Sequence, residues 1–270
     1  MNLLKKFSNK NGLTSIVTEG ECGLKKVIFD LLKLNTGEIH VGNTQTNESA
    51  FIILSGRCCI AGNDFRYPHI GNRKDVFSGK PTTVYLPNNT SYEIVAETEV
   101  EIGICSAHST LQSTPILITP EEVTEVDLGV LNWKRKAYFI IDQKVNSENL
   151  FIGETFLPPG NWAFPPHRHD FDNYPEEVDM DEVYHFRINP STGFAIQISC
   201  TDDKSRDDAY IMRNEDTVLI PNGYHPVAAS PVDSVYFLWM MAGDKRYFIS
   251  RPDDNYSWVN KSENFLKQKK

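Results

Sequence analysis

Residues 217–223 read Thr-Val-Leu-Ile-Pro-Asn-Gly, and a related heptapeptide, Thr-Val-Tyr-Leu-Pro-Asn-Asn, occupies residues 83–89, 134 positions earlier. Each copy has the pattern of a short apolar strand that runs into a proline-led turn, in which Asn or Gly accepts a positive φ. The offset is almost half of the 270-residue chain, as expected for a tandem duplication. We therefore predict two similar β domains, residues 1–118 and residues 119–270. They are joined around residues 114–122, a short apolar stretch with two prolines.

The rest of the chain is typical of an all-β protein. Short segments rich in β-branched and aromatic residues alternate with Gly, Pro, Asn and Asp, at the intervals expected of sandwiches and barrels. Examples are residues 27–34, 50–54, 82–86, 99–105, 138–141, 194–199 and 234–240. Segments with helical periodicity are scarce, and only residues 263–269 favour a final helical turn. The predicted fold class is all-β.

Composition excludes several classes of partner. The net charge is −9, with 36 acidic and 27 basic side chains, which argues against nucleic acid because phosphates require clustered Lys and Arg. No apolar run approaches the roughly 18 residues of a membrane span. Five cysteines, with no C-x-x-C motif, fit reduced thiols, and no apolar leader follows Met1. We expect a cytoplasmic protein that binds a small molecule, and a homo-oligomer stays open.

Three histidines and one glutamate in the second half have the residue types of a metal site. His167 and His169 are two residues apart, and side chains with that spacing on a strand point to the same face. Glu182 would enter from the next strand, and His225 would follow the Pro-Asn-Gly turn. Imidazole and carboxylate ligands suit zinc, iron or manganese, and an open coordination position would permit catalysis. The alternative is an accidental pair of histidines, with Glu182 as a solvated acid in an acidic loop.

The residues after Glu182 divide by strand phase. Tyr184 alternates in phase with Glu182, so we expect it in the same cavity, as an acid or an orienting group; a core tyrosine is the alternative. Arg187 and His185 are out of phase with Glu182. For Arg187, a surface or domain-contact role competes with carboxylate binding, and His185 is not a predicted ligand.

These motifs resemble those of a known family. Gly-Asn-Trp at residues 160–162 and Pro-Pro-His-Arg-His-Asp at residues 165–170 are similar to a segment of the 5-deoxy-glucuronate isomerases of inositol catabolism. That family is related more loosely to the 4-deoxy-uronate ketol isomerases of pectin breakdown. The resemblance spans nearly the full length and continues at residues 181–184, 187, 189–190, 193–195, 218–227 and 241–243.

The resemblance implies a bicupin, in which two jelly-roll barrels follow each other and the second barrel holds the metal. It implies His167, His169, Glu182 and His225 as the ligands, the set that ligand chemistry and strand phase also indicate. From the ligand types we expect one divalent metal ion per chain, with zinc favoured over manganese and iron. The implied reaction is the aldose–ketose isomerisation of a deoxyuronate.

For that reaction we expect an ion that stabilises an enediolate, and a group that moves a proton between adjacent carbons. Glu182 would be occupied by the metal, so Tyr184, or a hydroxide on the ion, is the better candidate for carrying the proton; a hydride shift is the alternative. The substrate carboxylate would meet Arg187 or Arg135.

Two rival functions remain open on the sequence. The same ligands can hold iron for oxygen chemistry, so a cupin dioxygenase is the alternative enzyme. A non-catalytic sugar-acid-binding bicupin is the other, because Tyr138, Phe186 and Tyr256 depart from the family pattern.

Overall fold

The computed structural model describes residues 2–6 and 10–267, and almost every regular element in it is a strand. The strands are β1 (Leu4–Lys5), β2 (Gly12–Val17), β3 (Ile28–Leu34), β4 (Ile39–Asn43), β5 (Asn47–Ser55), β6 (Cys58–Ala61), β7 (Arg66–Ile70), β8 (Thr83–Leu86), β9 (Ser91–Ala96), β10 (Val100–His108), β11 (Ile116–Ile118), β12 (Thr124–Leu128), β13 (Arg135–Ile141), β14 (Leu150–Leu157), β15 (Trp162–Ala163), β16 (His167–Arg168), β17 (Asp181–Asn189), β18 (Ala195–Cys200), β19 (Asp207–Met212), β20 (Thr217–Ile220), β21 (Val227–Ala229), β22 (Ser234–Ala242) and β23 (Arg251–Pro252). The predicted all-β class is confirmed.

Helical structure among the described residues is brief. Three 3₁₀ segments comprise Glu21–Gly23, Leu131–Trp133 and Asp254–Tyr256, and one α-helix, α1, comprises Trp258–Lys267. Helix α1 contains most of the helical turn predicted at residues 263–269, of which residues 268 and 269 lie outside the described residues. None of the helices in this part of the chain is long and apolar enough to span a membrane.

The first half of the chain forms two antiparallel sheets around an apolar core. The six-stranded sheet has the order β11-β8-β5-β10-β3-β2, and the four-stranded sheet has the order β4-β9-β6-β7. Side chains alternate along β5, so that Phe51 and Ile53 enter the core between these two sheets, together with Leu32 and Ile94. All four are fully buried.

The second half repeats this arrangement. A seven-stranded sheet, β1-β20-β17-β22-β14-β13-β12, faces a four-stranded sheet, β15-β21-β18-β19, with the pair β16-β23 beside them. The two heptapeptides contain β8 and β20, which hold equivalent places: β8 pairs with β5 and β5 with β10, while β20 pairs with β17 and β17 with β22. The predicted pair of jelly-roll barrels is therefore the observed fold.

One strand crosses between the halves. Strands β2 to β11 lie in the first pair of sheets, and β12 to β23 lie in the second pair or in the small β16-β23 sheet beside it. Strand β1, by contrast, pairs with β20 and so extends the second barrel. Residues of the predicted first domain thus complete the second one. The domain limits at residues 118 and 119 stay a prediction.

The two large sheets pack face to face, and this gives β17 two different faces. On the side of the first barrel, the His185 ring lies 5.2 Å from the Phe29 ring. A buried ion pair joins the barrels nearby, with Arg73 Nη2 2.7 Å from Glu154 Oε1, and Tyr236 donates its hydroxyl to the same oxygen at 2.9 Å. The other face of β17 lines the interior of the second barrel.

Candidate metal centre

Three imidazoles and one carboxylate converge inside the second barrel. The ligand-type nitrogens of His167, His169 and His225 all lie within 4.8 Å of one another. Glu182 Oε2 lies 3.0 Å from His169 Nε2 and 3.1 Å from His225 Nε2. His169, His225 and Glu182 are buried, and His167 is half-buried. The structure thus brings together the four residues that the sequence nominated as ligands.

His167 and His169 reach the centre by different means. His167 opens the two-residue strand β16, where it pairs with Pro252 of β23. His169 lies just beyond that strand, and its backbone carbonyl accepts a hydrogen bond from Met180 N at 2.9 Å. Strand alternation therefore accounts for the direction of the first ring only, while the second ring depends on contacts with the segment that leads into β17.

Glu182 and His225 come from neighbouring parts of the second barrel. Glu182 is the second residue of β17, on its interior face. His225 follows Gly223, which has a left-handed φ of +81°. A Cβ on that glycine would lie 2.4 Å from Cys200 O, so the turn requires glycine for space as well as for φ.

The hydrogen bonds of the three rings determine which nitrogens face the centre. Each Nδ1 lies near a backbone carbonyl, which can only accept, so each Nδ1 carries the proton and each Nε2 presents a lone pair. The Nδ1 distances are 3.2 Å from His167 to Pro165 O, 2.8 Å from His169 to Met180 O, and 2.9 Å from His225 to Gly223 O.

This arrangement collects acceptors at one point. Although His225 Nε2 lies 3.1 Å from Glu182 Oε2, it is buried without a well-aligned hydrogen-bond partner among the described residues. Three ring nitrogens and a carboxylate that face each other at these distances can serve together as ligands of a cation. Ligand histidines in metal sites characteristically donate their other ring N–H to a carbonyl, as these three do. The residues present therefore fit a divalent metal ion.

Electrostatics favour the ligand forms of His167 and Glu182, whereas His169 must lose a proton when a metal ion binds. Burial lowers the pKa of His167 to about 3, assisted by His225 and His169. Burial raises the pKa of Glu182, but hydrogen bonds and charges of His169 and His225 outweigh it and bring the value to about 2. His169 has a raised pKa, because Glu182 overcomes the lowering effect of burial. His167 is thus neutral and Glu182 ionised at neutral pH, as metal binding requires.

Tyr184 lies beside the ligands, on the same face of β17 as Glu182. Its ring centroid is 5.9 Å from that of His225, and the side chain is buried. Burial, followed by the negative charge of Glu182 and a hydrogen bond to it, raises the pKa of Tyr184 well above its usual range. The phenol therefore keeps its proton at neutral pH.

Arg135 approaches the centre from β13. Its Nη1 donates to Phe164 O at 3.1 Å and to Trp133 O at 3.3 Å, and its charge interacts with Tyr184. Glu263 of α1 also interacts with it electrostatically, yet no carboxylate of a described residue lies within 4.0 Å. Burial lowers the pKa of Arg135. The guanidinium is therefore a largely desolvated cation without a paired anion among the described residues.

Arg187 lies on the opposite side of the sheet, so the structure does not bring this predicted carboxylate ligand to the centre. Its Nη2 donates to Glu101 Oε1 of the first barrel at 2.6 Å. Its Nη1 lies 2.6 Å from Nε2 of His185, whose Nδ1 faces Thr217 Oγ1 at 2.8 Å. The physical reason is strand phase: residues 185 and 187 point away from residues 182 and 184. Arg187 makes the domain contact that the sequence left as the alternative.

Two supporting residues escaped the sequence analysis. Asp170 Oδ2 accepts a hydrogen bond from Gly223 N at 2.7 Å, and Gln197 Nε2 donates to His225 O at 2.9 Å. Asp170 could have been found from its position in the sequence, because it directly follows the H-x-H pair. The signal for Gln197 was a polar side chain on the buried face of a strand that alternates in burial.

The profile of the KduI/IolB family matches residues 3–259 of this sequence. The chain belongs to that family. A 5-deoxy-glucuronate isomerase of Geobacillus kaustophilus is 37% identical over 263 residues, which cover 97% of this chain and 95% of that protein. The enzyme of the same name from Bacillus subtilis is 32% identical over 255 residues, covering 93% and 94%. The resemblance found in the sequence is thereby confirmed.

Solved structures agree with this membership of the KduI/IolB family. The crystal structure of an IolB-like protein from Salmonella typhimurium superposes with a TM-score of 0.93 at 30% identity, covering 96% of this chain and all of the other. An oxalate decarboxylase from Lactobacillus farciminis superposes with a TM-score of 0.69 at 9% identity, covering 100% and 93%. The second likeness is one of fold alone.

Proposed function

We propose that this protein is a metal-dependent isomerase that converts the aldose 5-deoxy-glucuronate into the ketose 5-dehydro-2-deoxy-gluconate in the cytoplasm. The observation that carries the proposal is the buried convergence of three histidine Nε2 lone pairs with the Glu182 carboxylate, in a chain that is 37% identical to a 5-deoxy-glucuronate isomerase. All five cysteines are free thiols, which suits a reducing compartment.

His167, His169, Glu182 and His225 would hold the ion. Three neutral imidazoles and one carboxylate favour zinc, with manganese and iron as alternatives. When bound, a divalent ion supplies Lewis-acid polarisation of a carbonyl or hydroxyl oxygen. Glu182 contributes the negative charge of the ligand set, and its buried position beside Tyr184 links the ligands to the proton-carrying side chain.

Tyr184 is the proposed proton-carrying residue. Interconversion of an aldose and a ketose moves protons between adjacent carbons and their oxygens, which requires an acid or base within hydrogen-bond reach. The phenol is held in its protonated form by burial and by Glu182, so Oη is a donor in the resting protein. From this position it hydrogen-bonds to a substrate oxygen and stabilises the negative charge that develops there.

Arg135 is the proposed partner of the substrate carboxylate. Its guanidinium is largely desolvated and lacks an ion pair among the described residues, and an anion would compensate both effects. Its hydrogen bond to Phe164 O ties it to the segment that carries His167, because the next residue, Pro165, holds the His167 ring through its carbonyl. A carboxylate at Arg135 would thus be fixed relative to the ligand cluster.

The test is turnover by zinc-loaded protein of 5-deoxy-glucuronate under argon, with product identified by NMR and bound metal measured by mass spectrometry. We expect ketose formation and about one metal ion per chain. His167→Ala should lose at least 100-fold in kcat/KM, since it removes a ligand. His69→Ala is the matched control, because that ring is exposed and pairs with Glu97 in the first half of the chain. Equal rates in wild type and His167→Ala would refute the site, and turnover that needs oxygen would favour a dioxygenase.

A further inference from the structure

The strand ladder that holds His225 lacks one hydrogen bond, at the neighbouring Pro226, and resumes at the bridge between Cys200 and Tyr224. Strands β18 and β21 pair as far as Gln197 and Val227. Beyond them, Ile198 N donates to Pro226 O at 3.0 Å. An antiparallel pair would return a hydrogen bond to Ile198 O, but Pro226 has no N–H to give. His225 therefore lies between this missing hydrogen bond and the Cys200–Tyr224 bridge, and it belongs to no strand.

The side chain of Gln197 closes this gap. Its Nε2 donates to Ile198 O at 2.9 Å, the carbonyl that Pro226 leaves unpaired, and to His225 O, also at 2.9 Å. Two amide hydrogens thus meet two carbonyls. The orientation of the amide is fixed by chemistry, because Oε1 in the same place would face carbonyl oxygens. Gln197 is fully buried, so water does not compete for these bonds.

The arrangement is costly in one respect. With Nε2 directed at the carbonyls, Gln197 Oε1 is buried without a partner among the described residues. Leaving a buried acceptor unpaired lowers stability, so an apolar side chain here would suit the barrel core better. The two bonds from Nε2 have a local effect instead: one of them fixes the carbonyl of His225, the ligand whose Nδ1 is held by Gly223 O.

We propose that Gln197 is a positioning residue for His225, which sets the affinity and the geometry of the metal centre through the His225 carbonyl. The inference rests on the metal site of the proposed function. Residues that support metal ligands typically change metal affinity 10- to 100-fold when they are replaced. The backbone of His169, by comparison, is held by a main-chain bond from Met180 N and needs no side chain for this purpose.

The test compares Gln197→Met, which keeps the length and loses the donor, with wild type. Zinc affinity is measured by competition with a chelator, and ligand geometry by the visible spectrum of cobalt-substituted protein. We expect zinc binding about 10-fold weaker or more, and a shifted cobalt spectrum. Thr217→Val is the control: it removes a buried hydrogen bond to His185 on the opposite face of the sheet, and it should lower Tm with zinc affinity unchanged.

The outcomes separate the two proposals. If wild type binds no zinc, the proposed function fails. If wild type binds zinc and Gln197→Met binds it equally, with the same cobalt spectrum, Gln197 has only a structural role and the inference is overturned. Should Gln197→Met fail to fold, the side-chain amide signal of Gln197 in the wild-type NMR spectrum decides. It should shift when zinc is added, and an unchanged signal would overturn the inference.

Discussion

The two arginines that the sequence nominated for the substrate carboxylate should respond in opposite ways to removal of their charge. Arg135→Met removes a largely desolvated guanidinium that has no carboxylate of a described residue within 4.0 Å. In the proposed complex this guanidinium pairs with the substrate carboxylate. Loss of one partner of a buried, hydrogen-bonded charge pair costs about 2–5 kcal/mol. At about 1.4 kcal/mol per factor of ten, kcat/KM should fall by about 30-fold to several thousand-fold, mostly through KM.

Arg187→Met should instead affect stability. Glu101 would keep its ion pair with Lys33, at 3.1 Å, but His185 Nε2 would be buried without a donor. A buried acceptor without a partner costs about 1–3 kcal/mol, so Tm should fall by several degrees. Because Arg187 lies on the face of β17 away from Tyr184, kcat/KM should stay within about threefold of wild type.

Steady-state kinetics of the zinc-loaded variants and thermal unfolding followed by circular dichroism measure both effects. Arg135→Lys keeps a charge but loses the planar fork, and should recover part of the activity. A kcat/KM near that of wild type in Arg135→Met would refute the assignment of the substrate carboxylate. A raised KM in Arg187→Met, at unchanged metal content, would show that the two faces of β17 are not separate.

Three further predictions concern the metal, the barrel interface and acid stability. Chelation of zinc should lower Tm, since free zinc at about 1,000 times Kd stabilises the fold by about 4 kcal/mol; an unchanged Tm would contradict a metal in the folded state. Glu154→Leu should lower the free energy of unfolding in urea by about 3–5 kcal/mol, because it leaves the buried Arg73 unpaired. The double variant Arg73→Met/Glu154→Leu should recover part of this stability. A loss below about 1 kcal/mol in Glu154→Leu would contradict the prediction. Burial raises the pKa of Glu101, but Arg187 and Lys33 outweigh it and lower the net value. The contribution of Glu101 to stability is therefore present above the pKa of the unfolded chain, near 4.3, and is lost as pH falls through the pKa of the folded protein. Glu101→Gln should lose less stability than wild type as pH falls below about 4.5. An identical dependence of stability on pH in this range would contradict the prediction.

Local sequence patterns predicted the two barrels, but they could not predict strand β1, which completes the second barrel. Strand β20 was visible because an apolar run meets a proline-led turn, and its repeat predicted β8. Strand β1 has two residues, too few for any periodicity. Its place is set by distant contacts: Leu3 is buried, and its carbonyl accepts from Leu219 N at 3.0 Å. A pairing between residues more than 200 positions apart leaves no local signal for a pattern to detect.

The sequence predicted the ligand set partly from strand alternation, and the structure supports this reason for only one of the two histidines. Alternation along one strand put His167 and His169 on a common face, yet β16 ends at Arg168. His169 reaches the centre because Met180 O holds its Nδ1 at 2.8 Å. Ligand chemistry and residue order therefore carried the prediction further than strand phase did. Contacts such as this depend on how the loop at residues 170–180 folds back, which its composition does not specify.

Strand phase did succeed on β17, and it also explains where sequence reasoning had to stop. It separated Tyr184 from Arg187, and the structure has these side chains on opposite faces. Strand phase could not decide whether Arg187 or Arg135 is the better candidate for binding the substrate carboxylate, because the choice depends on which cation already has a partner. Arg187 is neutralised by Glu101, 86 positions away in the other barrel, whereas no carboxylate of the described residues pairs with Arg135. Unpaired charge beside a ligand cluster is a property of the folded chain, and it is the property by which Arg135 can bind an acid.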